Sequence, residues 1–490
     1  MKRSNFKELY FGHASAETEV ARDSDLFLRT YYDRWNLSAS IQRQEFFLVI
    51  GPKGSGKSAV SEYVRLKLAR KYGEHAVFSR TFNLDEVSPG MSPLSTMPNK
   101  DVTAQGATLS DSAWRLFLAL QLLDMLSNDP SCSLSSDPQS IKLIEDLRRA
   151  DLLGRDFPSI FKRVRENKTT ISLKGFVTHE RSSRESDETS ALHLGEALLR
   201  LISSARSDNH FLLSIDGLDR IINDNDAYWL TLAALLRVGD ELFRRLLAAS
   251  IDIRLLVMCR SDVFRRIRFA DADKIAADSS IFVDWSAEQT KPADSPLWDY
   301  LASKAGITAA SLFAYFPENI TVGQRSGRPR SIPSPEYLIQ ATRSTPREIS
   351  SLMRRIQGEL PPNGYLTSDR IRNAVDIFAT RDLLSIVTAE ATGLLHDQLQ
   401  DNLADILSSL PSASKLTEDS LAEAIKSAGL DGSLTAELAQ FMFLAGLLGN
   451  YDPRTGYVQF YHRRDTYKFK RQGPWQLNRG LMYAFNVPFS

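Results

Sequence analysis

The residues best suited to chemistry lie in the segment GPKGSGKS at 51–58, which matches the pattern G-x-x-x-x-G-K-[ST]. Its glycines allow backbone turns that side chains would obstruct, so successive N–H groups can surround a phosphate. The Lys57 ammonium can reach the terminal phosphates of a nucleotide, and the Ser58 hydroxyl can coordinate Mg²⁺. The pattern therefore predicts a nucleotide site whose binding residues are Gly51, Pro52, Lys53, Gly54, Ser55, Gly56, Lys57 and Ser58.

A second chemical group follows the apolar run FLLSI at 211–215. Asp216 is the first acid after this run, and a phosphate loop needs an acid on a neighbouring strand to hold its metal. We therefore predict that Asp216 serves the metal together with Ser58; a strand-end aspartate that caps the next turn is the alternative. Gly217 stands where many nucleotide-hydrolysing enzymes keep a catalytic glutamate.

Polar residues also end the apolar segment IDIRLLVMCRSD at 251–262. Open α/β sheets bind ligands at the carboxyl ends of their strands. Arg260 and Asp262 are thus predicted to sense the terminal phosphate of the nucleotide. Arg260 could equally be an ordinary salt-bridge partner, and the sequence leaves both interpretations open.

These residues require a layered α/β core to position them. Apolar segments typical of buried strands occur at 46–50, 76–82, 211–215, 251–262 and 280–286, and helical patterns separate them. Strands that alternate with helices predict a mainly parallel sheet. Lys57 and Asp216 lie 159 positions apart, which is more than two strand–helix–strand units need. We therefore predict an insertion at about 83–188 within a core of residues 45–290.

Composition limits the classes of protein that fit. The chain has 490 residues, enough for two to four domains, and 60 basic residues balance 60 acidic ones. Any nucleic-acid contact must then come from a local patch. Two cysteines are too few for a disulfide framework, and no run of about 18 apolar residues predicts a membrane span. A reducing cytoplasm is the expected location, with no membrane contact.

The phosphate loop, the segment IDGLDR (215–220) and the strand LLVMCRSDVF (255–264) together resemble the P-loop ATPases of the AAA+ and STAND groups. The pattern is most similar to bacterial STAND-like or KAP-like ATPases, which are often found in mobile islands and anti-phage loci. The segments YFGHASAETEV (10–20), DADKIAADSSIFVDW (271–285) and TRSTPREISSLMRRI (342–356) fit that group as well. The resemblance covers residues 10–360 loosely.

This resemblance implies several site residues and partners. A helical lid would follow the core at 291–361, and Arg347 matches its nucleotide-contacting arginine, unless it is a plain surface residue. STAND-type motifs place a second acid one short turn after the first, so Asp219 would position or deprotonate the attacking water, or else cap the turn. The resemblance also implies ATP with Mg²⁺, a homo-oligomer and a separate effector protein. The segment PNKD at 98–101 does not match a guanine-binding motif, and no LSGGQ-like signature occurs.

The C-terminal third, 362–490, changes to short helical patterns followed by NYDPRTGYVQFYHRR at 450–464, which predicts a hairpin. Short helices with a hairpin predict a winged-helix-like domain. Its segment 461–475 interleaves aromatic with basic residues, as phosphate contact and base stacking require, although any half-buried strand shows such alternation. The basic residues are Arg463, Arg464, Lys468, Lys470 and Arg471. Residues 1–44 are expected to form an N-terminal helical segment.

Three functions fit these observations. The first is a regulatory ATPase that hydrolyses ATP slowly and switches conformation, in bacterial anti-phage defence. The second is a DNA-associated ATPase that resembles origin-recognition-type initiators or transposition regulators and places its winged helix on duplex DNA. The third is a scaffold without catalysis, which the intact Lys57, Ser58 and Asp216 argue against.

Overall fold

The computed structural model describes residues 5–83, 104–165, 191–218, 226–267, 269–286, 291–322, 330–361, 364–391, 395–411, 413, 415–463 and 467–484. The chain forms two compact units. The described residues of 1–34, 51–59 and 283–490 make up the first unit, and those of 35–50 and 60–282 make up the second. The phosphate loop belongs to the first unit, whereas Asp216 and Arg260 belong to the second.

A five-stranded sheet forms the core. Its strands are β1 (Leu48–Gly51), β2 (Val77–Asn83), β3 (His210–Asp216), β4 (Asp252–Arg260) and β5 (Ser280–Phe282), in the order β2-β3-β4-β1-β5. The pairs β2–β3, β3–β4 and β1–β5 are parallel. The central strands β3 and β4 are buried along almost their whole length, as strands covered on both faces must be. The predicted α/β fold with a parallel P-loop sheet is confirmed.

Helices surround this sheet and precede it. They are α1 (Ala16–Arg22), α2 (Ser24–Thr30), α3 (Leu37–Gln42), α4 (Lys57–Tyr72), α5 (Ala104–Ser127), α6 (Pro138–Arg149), α7 (Phe157–Arg165), α8 (Ala191–Ser204), α9 (Asp226–Ala248), α10 (Ser261–Arg266) and α11 (Ala272–Asp278). α4 begins within the phosphate loop, at Lys57. A buried hydrogen bond of 2.8 Å between the Ser61 and Ser214 hydroxyls holds it against β3.

The predicted insertion contains a helix that is central to the core. Trp114 of α5 is completely buried, and its indole N–H donates to the Thr231 carbonyl of α9 at 2.9 Å. Arg115 forms ion pairs with Glu196 of α8 and Glu241 of α9. α5 is therefore part of the packed core. Residues 84–103 and 166–188 of that insertion lie outside the described residues, so its extent stays a prediction.

The predicted lid contains helices and a small hairpin. Its elements are α12 (Pro296–Ala305), α13 (Ala309–Phe313), β6 (Asn319–Val322), β7 (Arg330–Pro333), α14 (Ser334–Gln340) and α15 (Pro346–Gly358). α15 begins as its sequence requires: the Thr345 hydroxyl accepts the Glu348 N–H, and Pro346 stands in the first turn. The pairing of β6 with β7 was not predicted.

The C-terminal third forms helices and a second sheet. Its elements are α16 (Ser368–Ile377), α17 (Leu384–Ala391), α18 (Asp397–Asp401), α19 (Leu403–Ser408), β8 (Lys415–Leu416), α20 (Glu418–Ser427), α21 (Thr435–Leu444), β9 (Leu448–Tyr451), β10 (Val458–Phe460), β11 (Trp475–Leu477) and α22 (Arg479–Ala484). A π-helical stretch, Phe378–Leu383, joins α16 to α17.

The predicted hairpin is present, because β9 and β10 pair antiparallel around Asp452–Gly456, within a sheet of order β10-β9-β11-β8. Its assignment to a winged-helix-like domain, like the other domain boundaries, stays a prediction. Within the described parts of the chain, no helix is long and apolar enough to cross a membrane.

Candidate nucleotide site

The phosphate loop adopts the backbone that its glycines allow. Gly54 and Gly56 have φ angles of 78° and 95°, in the left-handed region that other residues rarely adopt. A side chain at Gly51 would lie 2.8 Å from the Val283 carbonyl oxygen, so the loop packs too closely there for any Cβ. The Lys57 ammonium donates to the carbonyls of Gly51 and Pro52, both at 3.0 Å. Lys57 is thus held over its own loop.

The loop also fits a bound phosphate. The Ser55 hydroxyl is buried and, among the described residues, has no hydrogen-bond partner. A Cβ at Gly56 would meet only open space, so the loop leaves room for a phosphate there. ATP would be held by residues 51–58, whose backbone N–H groups and Lys57 charge would neutralise the phosphates.

The residues offered to Mg²⁺ fit that ion's preferences. Ser58 supplies a hydroxyl and Asp216 a carboxylate, and Mg²⁺ in nucleotide sites usually binds one or two such groups besides the phosphates. In the part of the chain that the structure covers, no cluster of three His, Cys, Asp or Glu side chains is poised for a metal. The assignment of Ser58 and Asp216 to Mg²⁺ stays a prediction.

Arg347 lies directly against the phosphate loop. Its backbone N–H is 3.5 Å from the Gly54 carbonyl oxygen. A Cβ built at Gly54 would be 3.3 Å from Arg347 Cβ and 3.5 Å from the Thr345 hydroxyl. The start of α15 and the loop thus touch each other. This contact does not test whether the Arg347 guanidinium reaches the nucleotide, which stays a prediction.

Asp216 ends β3 and is followed at once by a turn. Its carboxylate accepts the Gly217 N–H at 2.8 Å, and Gly217 has a φ angle of 79°. This left-handed backbone gives a physical reason for glycine at the position where related enzymes carry a glutamate. Asn83, the last residue of β2, lies beside Asp216 in the sheet register. Asp219, the predicted base, lies outside the described residues.

Arg260 is engaged with its neighbour Asp262. Its Nε and Nη2 donate to the two carboxylate oxygens at 2.9 and 2.6 Å, and both side chains are largely buried. Burial acts to raise the pKa of Asp262, but the charge and hydrogen bonds of Arg260 outweigh it and lower that pKa below its ordinary value. Arg260 is thus a salt-bridge partner of Asp262, and its role in sensing phosphate stays a prediction.

A buried ionic cluster adjoins the start of α15. Arg343 donates to Glu348 of α15 at 2.6 and 2.7 Å, through its backbone N–H and its Nε. Its guanidinium also donates to Glu390 of α17 at 2.5 and 3.1 Å, and to the Ala445 carbonyl at 3.0 Å. Burial acts against the charge of Arg343, but the two carboxylates raise its pKa. Arg343 therefore joins the helix beside the loop to two C-terminal helices.

A second connection runs from the segment that follows β5. The Trp285 indole N–H donates to the Ser55 carbonyl at 2.8 Å. The next residue, Ser286, donates its hydroxyl proton to the carbonyl of His462, which follows the β9–β10 hairpin. Burial and the charges of Arg463 and Arg343 hold the pKa of His462 well below its ordinary value, which favours a neutral imidazole. The loop and the hairpin are thus linked through two adjacent side chains.

Sequence reasoning missed several of these residues. Asn83, Trp285 and Arg343 carry no motif of their own, and their partners are distant in the chain. The segment TRST before the predicted Arg347 contained the one usable signal, because it places Thr345 as a helix cap and Arg343 two residues earlier. The partner residues Glu390 and Ala445 could not be found in that way.

The basic and aromatic residues of 461–475 face different surroundings. Tyr461 and Trp475 are buried, and Phe469 stacks on Trp475 with a ring separation of 5.5 Å. The lysines of this segment, Lys468 and Lys470, are exposed. These buried aromatics therefore belong to the domain interior, as in the half-buried alternative. Arg464 lies outside the described residues.

Comparison with known proteins identifies the domain that carries the loop. Residues 20–248 match the AAA ATPase domain family. The matched range includes the phosphate loop and Asp216, whereas Arg260 and Arg347 follow it. The match supports an ATP-hydrolysing P-loop enzyme.

Searches for wider relatives add little to this assignment. No curated protein sequence matches the chain at a significant level. The Aeropyrum pernix Orc1 protein, solved in complex with DNA, is 11% identical with a TM-score of 0.39, over 95% of this chain and 92% of that one. Cdc6p from Pyrobaculum aerophilum is 9% identical with a TM-score of 0.25, over 89% and 93% of the two chains. With TM-scores this low, neither likeness carries an argument about function.

Proposed function

We propose that this chain is an ATP-hydrolysing regulatory switch, in which the nucleotide held by the phosphate loop alters the packing of α15 and of the C-terminal helices. The observation that carries the proposal is the contact between Gly54 in the loop and Arg347 in the first turn of α15. A loop that rearranges around a terminal phosphate would move against this turn. Ordering and release of such segments is a common means of switching.

The second step of the proposal runs from α15 to the C-terminal third. Arg343 is four residues before Arg347 and is bonded to Glu390 of α17 and to the carbonyl that ends α21. A buried charge with several partners has few alternative positions, because each lost partner leaves an unpaired group. Movement of the start of α15 would thus be transmitted to α17 and α21 rather than absorbed locally.

The chemical roles follow from residue types. Lys57 would bind the β- and γ-phosphates, while Ser58 and Asp216 would hold the metal, which lowers the charge that the leaving phosphate develops. Asp219 would orient or deprotonate the attacking water, and Arg260 and Arg347 would contact the terminal phosphate. Asp219→Asn should then abolish hydrolysis while nucleotide binding is kept; continued hydrolysis by this variant would contradict the assignment.

We further propose slow turnover, because an aspartate displaced from the usual glutamate position holds a water less closely. The steady-state rate should fall below about 1 s⁻¹, at the low end of enzyme turnover numbers. Lys57→Ala should reduce that rate to background. A turnover of tens per second would favour a motor and would count against a switch.

The partners proposed for the switch rest on the family resemblance. They are a second copy of the chain and a separate effector protein, in bacterial anti-phage defence. Size-exclusion chromatography with light scattering, in the presence of ATP and of ADP, tests the first of these. A particle that stays monomeric with both nucleotides would contradict it.

A DNA-associated ATPase is the second candidate. The observation that favours it is the exposure of Lys468, Lys470 and Arg471 on one segment after the hairpin, since such cations can contact phosphates. Hydrolysis should then be stimulated by duplex DNA, and the stimulation should weaken steeply as salt rises. An ATPase rate that duplex DNA leaves unchanged would exclude this candidate.

A further inference from the structure

A cavity of about 780 Å³ in the first unit lies apart from the phosphate loop residues. It is bordered by α14, the β9–β10 hairpin, β11 and the start of α22. Its volume is in the range of sites that hold small molecules and cofactors. Its lining combines many polar side chains with few apolar ones, so a purely apolar ligand does not suit it.

The residues that line the cavity carry mostly positive charge. Among its lining residues Glu336 is the only acid, and it accepts a hydrogen bond from Gln340 at 3.1 Å. Arg479 lies 3.8 Å from this carboxylate, so the acid offsets part of one positive charge. The five cationic lining residues are Lys291, Arg330, Lys415, Arg463 and Arg479.

Two of these cations stand against aromatic rings rather than against acids. The Lys415 ammonium is 4.4 Å from the Tyr451 ring centre, and the Arg463 guanidinium is 5.1 Å from that of Phe460. Within the described residues neither makes an ion pair. Arg463 is exposed, and Arg479 places a second positive charge near it. A bound anion would relieve this repulsion.

The cavity also offers an acceptor. The Oε1 atom of Gln340 is buried and, in the part of the chain described, receives no hydrogen bond. An acceptor left in this state favours a ligand with an N–H or O–H group. Tyr451 adds an aromatic ring near Lys415, which suits a flat heterocycle.

We propose that this cavity is a second ligand site, which binds a phosphorylated small molecule of dinucleotide size with at least two negative charges. Lys415, Arg463 and Arg479 contact its phosphates, and Gln340 accepts from its base or sugar. The site is separate from the phosphate loop, so the proposal stands whether or not the ATP switch is correct.

The test uses full-length Lys57→Ala protein, in which the phosphate loop is disabled, and isothermal titration calorimetry. The probes are cyclic di-adenosine monophosphate, NAD⁺ and inorganic pyrophosphate, with oligothymidylate as a polymer control. At least one small probe should bind with one site per chain. Arg463→Gln and Lys415→Gln should each weaken that binding about tenfold, the usual effect of a lost charged hydrogen bond.

The matched control is Arg454→Gln, an exposed arginine of the same hairpin that does not line the cavity. It should leave the affinity unchanged, and all three variants should melt like the parent protein. Absence of binding by every small probe would overturn the proposal. So would binding of oligothymidylate alone, or equal weakening by all three substitutions, because either outcome indicates a diffuse polyanion surface. In protein that retains Lys57, Lys415→Gln should hydrolyse ATP at the normal rate. This result would separate the cavity from the ATPase site.

Discussion

The phosphate loop and the strand ends that carry Asp216 and Arg260 are built differently, although both follow strands of the same sheet. The loop contacts distant segments: Gly54 meets Arg347, and Ser55 accepts from Trp285. At the strand ends, the Asp216 carboxylate accepts from the next residue, and Arg260 pairs with a residue two positions on. The loop thus makes long-range contacts, whereas these bonds at the strand ends are short-range in sequence.

We infer from this difference that ATP hydrolysis and the response to bound nucleotide depend on different contacts. A bond between residues that are close in sequence can change without moving a remote helix. A loop that is bonded to the starts of other elements cannot move without straining them, since packed interiors respond as units. We therefore expect changes at the strand ends to affect hydrolysis alone. Changes along the loop and its contacts should alter the C-terminal third as well.

The largest effect is expected from Asp216→Asn. Loss of the carboxylate charge weakens the hold on the metal, and stabilisation by a metal is worth several kcal/mol, so the hydrolysis rate should fall roughly 100-fold or more. ATP should still bind and still alter the C-terminal helices. Asp208→Asn, an exposed change before the other end of β3, is the control in a steady-state phosphate-release assay. If the variant loses both hydrolysis and the ATP-induced change in the C-terminal helices, the strand ends and the loop do not have separate roles.

Arg343→Met should destabilise the protein by about 3–5 kcal/mol, because it leaves two buried carboxylates without their partner. Arg355 of α15 provides a matched control, since it makes a bidentate pair with Asp382 but is far more exposed than Arg343, at 42% against 6%. Arg355→Met should cost only about 0–1 kcal/mol. Urea unfolding of both variants measures the difference. Equal losses of stability would show that burial of the cluster is not what holds these helices.

Arg347→Ala tests the role of the guanidinium beside the phosphate loop. Removal of a guanidinium near phosphate should reduce hydrolysis about tenfold, the usual worth of one charged hydrogen bond. The backbone contact with Gly54 remains, so the melting temperature should hardly change. Arg347→Lys, which keeps the charge, should recover part of the rate. If the alanine variant keeps full activity, Arg347 makes only a structural contact with the loop.

The smallest expected effect is a pH dependence of stability at His462. Its folded-state pKa is lowered from 6.5 by burial and by the charges of Arg463 and Arg343, so the unfolded chain binds the proton more readily. Stability should therefore be lost as pH falls below about 6.5. Thermal melts of His462→Gln should show a weaker acid dependence than the natural protein, with His75→Gln at an exposed position as control. Identical acid profiles would contradict this assignment.

The sequence was sufficient where the chemistry is local. The eight residues 51–58 contain their own turn-forming glycines and charges, and Asp216 follows a run of apolar residues that can only be a buried strand. The glycine after Asp216 was visible too, but its cause, a φ angle of 79°, required the structure. Lys57 and Asp216 could therefore be proposed as site residues without knowledge of their surroundings.

What the sequence could not supply is contact between distant segments. Arg343 meets Glu390, 47 positions later, and Trp285 meets Ser55, 230 positions earlier. No periodicity relates such residues, because their meeting depends on how several helices pack. The cationic cavity was even harder to predict from the sequence. Its lysines and arginines come from five separate stretches, and each of them resembles ordinary surface charge.

Hydrogen–deuterium exchange of α21 and the β9–β10 hairpin tests most directly whether the phosphate loop controls the C-terminal third. The protein carries Asp216→Asn, which should retain bound ATP, and is compared with and without saturating ATP and Mg²⁺. We predict that ATP changes exchange in residues 435–460, and that adding Arg343→Gln abolishes the change while ATP still binds. Exchange that ATP leaves unaltered, or an alteration that persists without Arg343, would contradict the proposed switch.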